Sequence, residues 1–478
     1  GGGEHPFASF IPVYSRLIAH GEQKTADRVA GVFASFLALI VVCIVAVGVA
    51  AAPLILNITA AGLDAPTMAL AVKFTRIIFP GVGLLVLYAW ALGILNAHRQ
   101  FFISYVAPVL WSAAMIATLV IFGMRMSGAP LATALAWGTL VGCALQFGIE
   151  IPFVLRHAKH LSFGFDLSLE PVRTIFRNIV PVVGGRGVVQ TSGYVDTFIA
   201  SFLPTGAVTS LFYAQTIYML PISVFGMSVA AAELPQMASE RGSQEEIYAA
   251  LRRRLDRGVR QVAFFVIPTT VAFILVGRTL IAALFERGKF TADTTLVVWY
   301  TLIGSAIGLL VATLGRLYSS AFYALHDTRT PFRIALARVV GGAALALLFA
   351  FPLRPMFAAI VQAVGLPIPR VEGGGIALGI VGITAASGIA AWIEFALLRR
   401  GIRRRIGAGD SKLAFMLKLW TAAIAAGVVA VIVARSIALH AILEAACVCA
   451  AFGVVYFAMA FALRVPEVTA TLSRFTRR

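Results

Sequence analysis

Along most of the chain, apolar residues run on for 20 or more positions before a short polar break, a period longer than any amphipathic surface helix would show. A helix rises 1.5 Å per residue, so roughly 20 such residues span a hydrocarbon core. On that measure the pattern predicts thirteen membrane segments, near 6–19 (short), 27–56, 70–96, 101–124, 130–155, 174–203, 208–236, 260–285, 294–325, 333–353, 375–398, 413–435 and 441–463. Glycines recur inside them, as at Gly81-x-Gly83 and Gly184-Gly185, where small residues let helices approach closely in lipid.

Two of these segments break the apolar rule. The stretch FRNIVPVVGGRGVVQTSGYVDTFIASF carries Arg186, Gln190 and Asp196, which at 100° per residue fall within about a third of the helix circumference. A charge at mid-bilayer costs about 3 kcal/mol on insertion scales, so such residues face a bundle interior or a wet cavity. The next segment adds Tyr213, Gln215, Thr216 and Tyr218, a Pro221 in mid-run and Glu233 near its end. A cavity role for Arg186 and Gln190 competes with structural pairing, and one for Asp196, near the outer end of its segment, with a solvated position or an N-terminal cap partner. Arg316, inside the cytoplasmic end of its segment, is either a site residue or a snorkelling one. The largest polar pocket is expected to touch Arg186 or Gln190.

Composition agrees with the pattern: 60% of the 478 residues are hydrophobic, 13% are charged, and the mean hydropathy is +0.91. The net charge of +18 does not signal nucleic acid, because the basic residues sit in short clusters between apolar runs. They alternate instead: 28 fall in one set of loops and nine in the other. Since Lys and Arg accumulate on the cytoplasmic side, residue 1 is placed outside and the C-terminus in the cytoplasm. The run Arg399 to Arg405 belongs to this topogenic set, with anionic lipid as a further contact. The four cysteines all lie in apolar stretches and give neither a disulfide framework nor a metal site. The seven histidines are scattered, without a His-Glu-x-x-His helix. No enzyme, cofactor or metal is expected.

A weak repeat at an offset of about 228 residues lays ALGILNAHRQFFISYVAPVL (91–110) on LYSSAFYALHDTRTPFRIAL (317–336), and the run from Arg28 on the run from Arg260. The expected fold is an all-α polytopic membrane protein with two pseudo-symmetric helical lobes and an added helix pair. Its divisions are 1–165 (five helices), 166–405 (six) and 406–478 (the pair). Symmetry places one further helix before Gly1.

Seven stretches then resemble the MurJ (MviN) lipid II flippases of the MOP superfamily. They are Phe10 to Tyr14; Arg76 to Pro80; Gly93 to Asn96 with Phe101 to Pro108; Ala200 to Pro204; Leu220-Pro221 with Phe225-Gly226; Leu284 to Thr291; and Ala321 to Ala324 leading to Asp327-Thr328-Arg329-Thr330-Pro331. The resemblance implies a MOP/MATE-like fold and a flippase that moves an undecaprenyl-pyrophosphate-linked peptidoglycan precursor from the inner to the outer leaflet of the bacterial cytoplasmic (inner) membrane by alternating access. It also implies a monomer among membrane lipids, near the cell-wall synthesis machinery, and a central cationic cavity. Carried onto this chain, that cavity comprises Arg186, Gln190, Asp196, Tyr213, Gln215, Thr216, Arg316 and Glu4, the last near the family's Gly-Glu-Gly stretch. The chain departs from the family in lacking its first helix and in having Gln215-Thr216 where an Asp-Arg often follows the Tyr-Ala. A sodium site proposed for some members would draw on Asp196, but RIALARVVGGAALALLFAF offers it no carboxylate or amide, and sodium coupling is not expected. Alternatives are another substrate of the same superfamily and a non-transporting cell-wall scaffold.

Overall fold

In the computed structural model the residues described are 10–229, 233, 237, 243–325, 327–369, 378–407, 413–437 and 439–468, with the side chains of 12 and 178–192 left aside. No strand occurs among them. The helices are α1 (Phe10–Ala19), α2 (Gln23–Ala50), α3 (Ala52–Thr59), α4 (Ala65–Ala97), α5 (Phe101–Gly123), α6 (Ala129–His157), α7 (Glu170–Ser201), α8 (Ala207–Pro221), α9 (Gln244–Leu275), α10 (Gly277–Phe285), α11 (Ala292–Ala324), α12 (Arg329–Ala350), α13 (Arg354–Ala363), α14 (Gly379–Ile406), α15 (Leu413–Ser436) and α16 (Ala441–Ala462). Eleven are long and apolar enough to cross a membrane among the described residues. The two remaining apolar stretches of the sequence, 6–19 and 174–203, include residues outside that description. This is a multi-pass membrane protein.

Helix ends differ from the apolar runs because hydropathy marks the lipid, not the helix. The run at 260–285 is really two helices: α9 begins sixteen residues earlier, at a capping box in which the Ser243 side chain accepts from the Glu246 N–H and the Glu246 carboxylate accepts from the Ser243 N–H. It therefore carries Arg252, Arg253, Arg254 and Arg257 on helix, not loop. After Val276 the chain restarts as the short α10. In the same way α2 breaks at Ala51 and restarts as α3, with Pro53 in its first turn, where a missing N–H costs nothing. A short α13 occupies residues the hydropathy pattern leaves as loop.

The chain divides into two compact units, Gly1–Gln190 and Thr191–Arg478. In the first, α4 packs on α2, α3 and α6, and α5 packs on α6. Its core gathers Phe10, Tyr14, Phe33, Trp90, Ile94 and Leu95, joined by Val172 and Ile175 from the first turns of α7. Asp27 is fully buried at one end of this core, accepting hydrogen bonds from Gln23 Nε2 (2.7 Å), the His160 N–H (3.0 Å) and the Tyr14 hydroxyl (3.4 Å). In contrast, α5 turns most of its apolar surface outward, with Val109, Ile116, Val120 and Ile121 about 60% exposed or more, as a lipid-facing helix should.

The second unit repeats this packing. There α11 packs on α9, α10 and α14, and α12 packs on α14, so that α9 to α12 and α14 stand where α2 to α6 stand in the first. The long-short break of α2/α3 recurs in α9/α10. Helix α11 is the unit's axis, buried over most of its length. It meets α14 through glycines: a Cβ on Gly308 would lie 2.6 Å from the Gly388 Cα. The added pair, α15 and α16, packs together; α15 also lies on α9, α16 on α10, and the Tyr456 hydroxyl donates to the Phe264 carbonyl (2.6 Å). Gly206, at φ +94°, turns the chain from α7 into α8.

Candidate functional site

Half-buried charge in the second unit gathers beside α14. Asp196, near the end of α7, accepts from the Ser387 hydroxyl of α14 at 3.1 and 3.3 Å. Seven residues on, and so on the same face of α14, stands Glu394, which is paired with the Arg338 guanidinium of α12 at 3.0 Å. Arg338 also lies within electrostatic range of Asp196 and lines with it a cavity of about 10 Å³, bounded further by Val195, Gly342, Ser387 and Ala390. That is on the scale of a single water. Two carboxylates thus share one guanidinium, the three groups drawn from α7, α12 and α14.

Of the residues singled out from the sequence, Asp196 contributes to this cluster, and Arg316 is exposed on α11. Tyr213 lies elsewhere on α8, its ring 4.7 Å from that of Phe285 and 5.1 Å from that of Phe290. Gln215 is half-buried. Thr216 is exposed, its hydroxyl donating to the Phe212 carbonyl of its own helix at 2.8 Å. Arg186, Gln190 and Glu4 lie outside the described residues. A cavity of about 600 Å³ lies along α14 at Trp392, Phe395, Arg399, Arg400, Arg403 and Arg404.

Sequence reasoning missed Arg338 and Glu394. Arg338 counted as a loop charge, whereas it sits ten residues into α12 and answers a carboxylate. The signal was present: Glu394 is an acid deep inside the apolar run 375–398, and such a residue needs a cation near it. The helix RIALARVV that offers Asp196 no carboxylate or amide offers it this guanidinium instead. A second buried acid was missed in the first unit. Glu150 of α6 is fully buried, and among the described residues neither carboxylate oxygen has a hydrogen-bond partner, nor has the Oε1 of Gln146, one turn before it.

Outside the membrane segments, two sites show the electrostatics of the loops. Asp327, between α11 and α12, has its carboxyl pulled down to about 2 by the Thr330 hydroxyl and N–H and by Arg405. His98, just past α4, is held below its ordinary value by burial and by the neighbouring His157 ring, 5.2 Å away.

Duplicated helical units with a packing pattern shared by both define a polytopic membrane protein, and its fold is that of the MOP transporters. An inward-facing multidrug resistance MATE family transporter of that superfamily superposes with a TM-score of 0.61 at 19% identity, over 83% of this chain and 86% of that one. A lipid II flippase MurJ in an inward closed conformation superposes at 0.73 and 21% identity, over 96% and 87%. A family model described as lipid II flippase MurJ matches residues 3–457, and the chain belongs to that family. The lipid II flippase MurJ of Burkholderia cenocepacia is 28% identical over 404 residues, 83% of this chain and 72% of its own length. The probable lipid II flippase MurJ of Rhizobium tropici is 32% identical over 356 residues, 72% of this chain and 65% of its own.

Proposed function

We propose that this protein moves an undecaprenyl-pyrophosphate-linked peptidoglycan precursor across the bacterial inner membrane by alternating access, as a monomer whose C-terminus is cytoplasmic. The observation that carries this reading is the family match over residues 3–457. A diphosphate headgroup entering a low-dielectric passage is prohibitively costly without compensating charge. Guanidinium supplies that charge through short, often bidentate bonds to phosphate oxygens. Arg186 is the residue proposed for this role, with Gln190, Asp196, Tyr213, Gln215, Thr216, Arg316 and Glu4 lining the same path. Thr216 is neutral where the family often has arginine, and this leaves more of the work to Arg186.

Two experiments test it. Expression should restore growth to cells depleted of their own lipid II flippase; failure at normal membrane abundance would leave a scaffold or another superfamily substrate as the reading. In the same cells Arg186→Lys should retain part of the activity, and Arg186→Gln and Arg186→Ala should lose it. Normal flipping by Arg186→Ala would remove Arg186 from the path.

A further inference from the structure

The last turns of α14 carry five arginines, and they do not share one fate. Arg405 turns to the protein: its guanidinium pairs with Asp327 and lies over the Phe322 ring, 5.3 Å from the centroid. Arg399, Arg400, Arg403 and Arg404 instead line the cleft of about 600 Å³, and none has an ion-pair partner among the described residues. Topology alone asks only for positive charge on one side of the membrane. It does not ask for four guanidiniums on one stripe. Nor does the helix dipole, whose reach ends within the last turn, account for Arg399 and Arg400.

The floor of the cleft continues the same stripe toward the membrane. Trp392, Phe395 and Ala396 stand at the helical spacing that repeats in Arg399, Arg400, Arg403 and Arg404. Trp392 is fixed by its indole N–H, which donates to the Ile307 carbonyl at 2.9 Å, while its ring stays 47% exposed. Phe395 is fixed edge-on against Tyr318, with centroids 5.3 Å apart. Ile393 and Leu397, on the flanks of the same turns, are 51% and 42% exposed. The cleft is therefore apolar and aromatic at one end and strongly cationic at the other, with the change at the level where an aromatic belt marks the interface.

We infer that this cleft on α14 is a binding site for an anionic phospholipid of the surrounding bilayer, with its phosphate on Arg399, Arg400, Arg403 and Arg404 and its acyl chains along Trp392 and Phe395. Charge complementarity selects an anion, and the planar guanidinium fork suits phosphate oxygens. The apolar floor selects a ligand with hydrocarbon attached, which excludes free phosphate. The lipid-facing flanks place the ligand in the bilayer. Basic clusters at the end of a membrane helix draw about 1 kcal/mol per residue from anionic lipid, and here four are gathered on one cleft. The site is independent of flipping.

Native mass spectrometry on the purified full chain tests this, with phosphatidylglycerol and phosphatidylcholine as probes. Wild type should retain phosphatidylglycerol over phosphatidylcholine, and inorganic phosphate should not displace it. Changing Arg399, Arg400, Arg403 and Arg404 together to Gln should weaken phosphatidylglycerol at least about tenfold. Removing the same number of charges by Arg252→Gln, Arg253→Gln, Arg329→Gln and Arg333→Gln should change it less than about twofold. A Trp392→Ala variant, which keeps every charge, should weaken it about threefold through the acyl contact. Equal loss in both charge-removal variants would show a diffuse field and overturn the site, as would wild-type affinity in the α14 variant. Displacement by inorganic phosphate would overturn the lipid assignment. Should the quadruple Gln variant fold poorly, the corresponding Lys variant decides: it keeps the charge but loses the fork, and binding at wild-type strength would overturn the phosphate geometry.

Discussion

Each unit places a carboxylate on the helix that closes its repeat, fully buried in the first and half-buried in the second, and the two are handled in opposite ways. In the first unit Glu150 of α6 has neither a hydrogen bond nor an ion pair among the described residues. In the second, Glu394 of α14 is held by Arg338, with Asp196 and Ser387 completing the arrangement. The same packing therefore holds one acid without a partner among the described residues and one that three helices are built around. A buried pair is weak evidence for net stability, but its two members depend on each other, and a lone acid has no dependent.

Three measurements sharpen that contrast. The largest effect is expected from Arg338→Ala, which strands Glu394 and leaves Asp196 without its cation; thermal or denaturant unfolding should show a loss of about 3 kcal/mol, and pairing Arg338→Met with Glu394→Leu should recover most of it. Glu150→Gln, read by the same assay, should be neutral or stabilising. A comparable loss there would mean that Glu150 has a structural partner after all. Next come the glycine crossings. A methyl on Gly308 meets the backbone of Gly388 at 2.6 Å, which cannot move alone, whereas one on Gly81 meets the Cys143 Sγ at 3.1 Å, an atom that can rotate away. Gly308→Ala should cost about 2 kcal/mol and Gly81→Ala under about 1 kcal/mol. The smallest effect is a pH dependence. The Asp327 carboxyl lies lower in the folded protein, at about 2, than its ordinary 3.8, so its contribution is whole above that ordinary value and disappears as pH falls toward 2. Stability of wild type minus that of Asp327→Asn should shrink over that acid range and stay flat at neutral pH.

Much of this was legible in the amino-acid order, and the exceptions have physical causes. Apolar run length finds the spanning helices because the bilayer sets a length, and the 228-residue offset finds units that pack alike because duplicated sequence keeps duplicated contacts. Helix starts such as Ser243 escape hydropathy, since a cap lies in water and a capping box has to be read from Ser243 and Glu246 themselves. Asp196 stood out because it shares a segment with Arg186 and Gln190. Arg338 did not, because a lone arginine some ten residues from a helix start looks like a positive-inside charge until Glu394 is seen opposite it. Spacing within one helix is visible in a sequence; pairing between α12 and α14, 56 residues apart, is not.

Pro221 lends one more reading. It closes α8, and the chain continues from Ile222 to Met227 as a π-helical turn before resuming α-helical geometry. A wider turn accommodates one extra residue where proline cannot donate to the carbonyl before it. Ser228 and Val229 beyond it are out of phase with everything before: a wheel drawn at a constant 100° through Tyr213, Gln215 and Thr216 misplaces them by about one residue's rotation. The turn acts as a vernier, setting the face after Met227 independently of the face before Pro221.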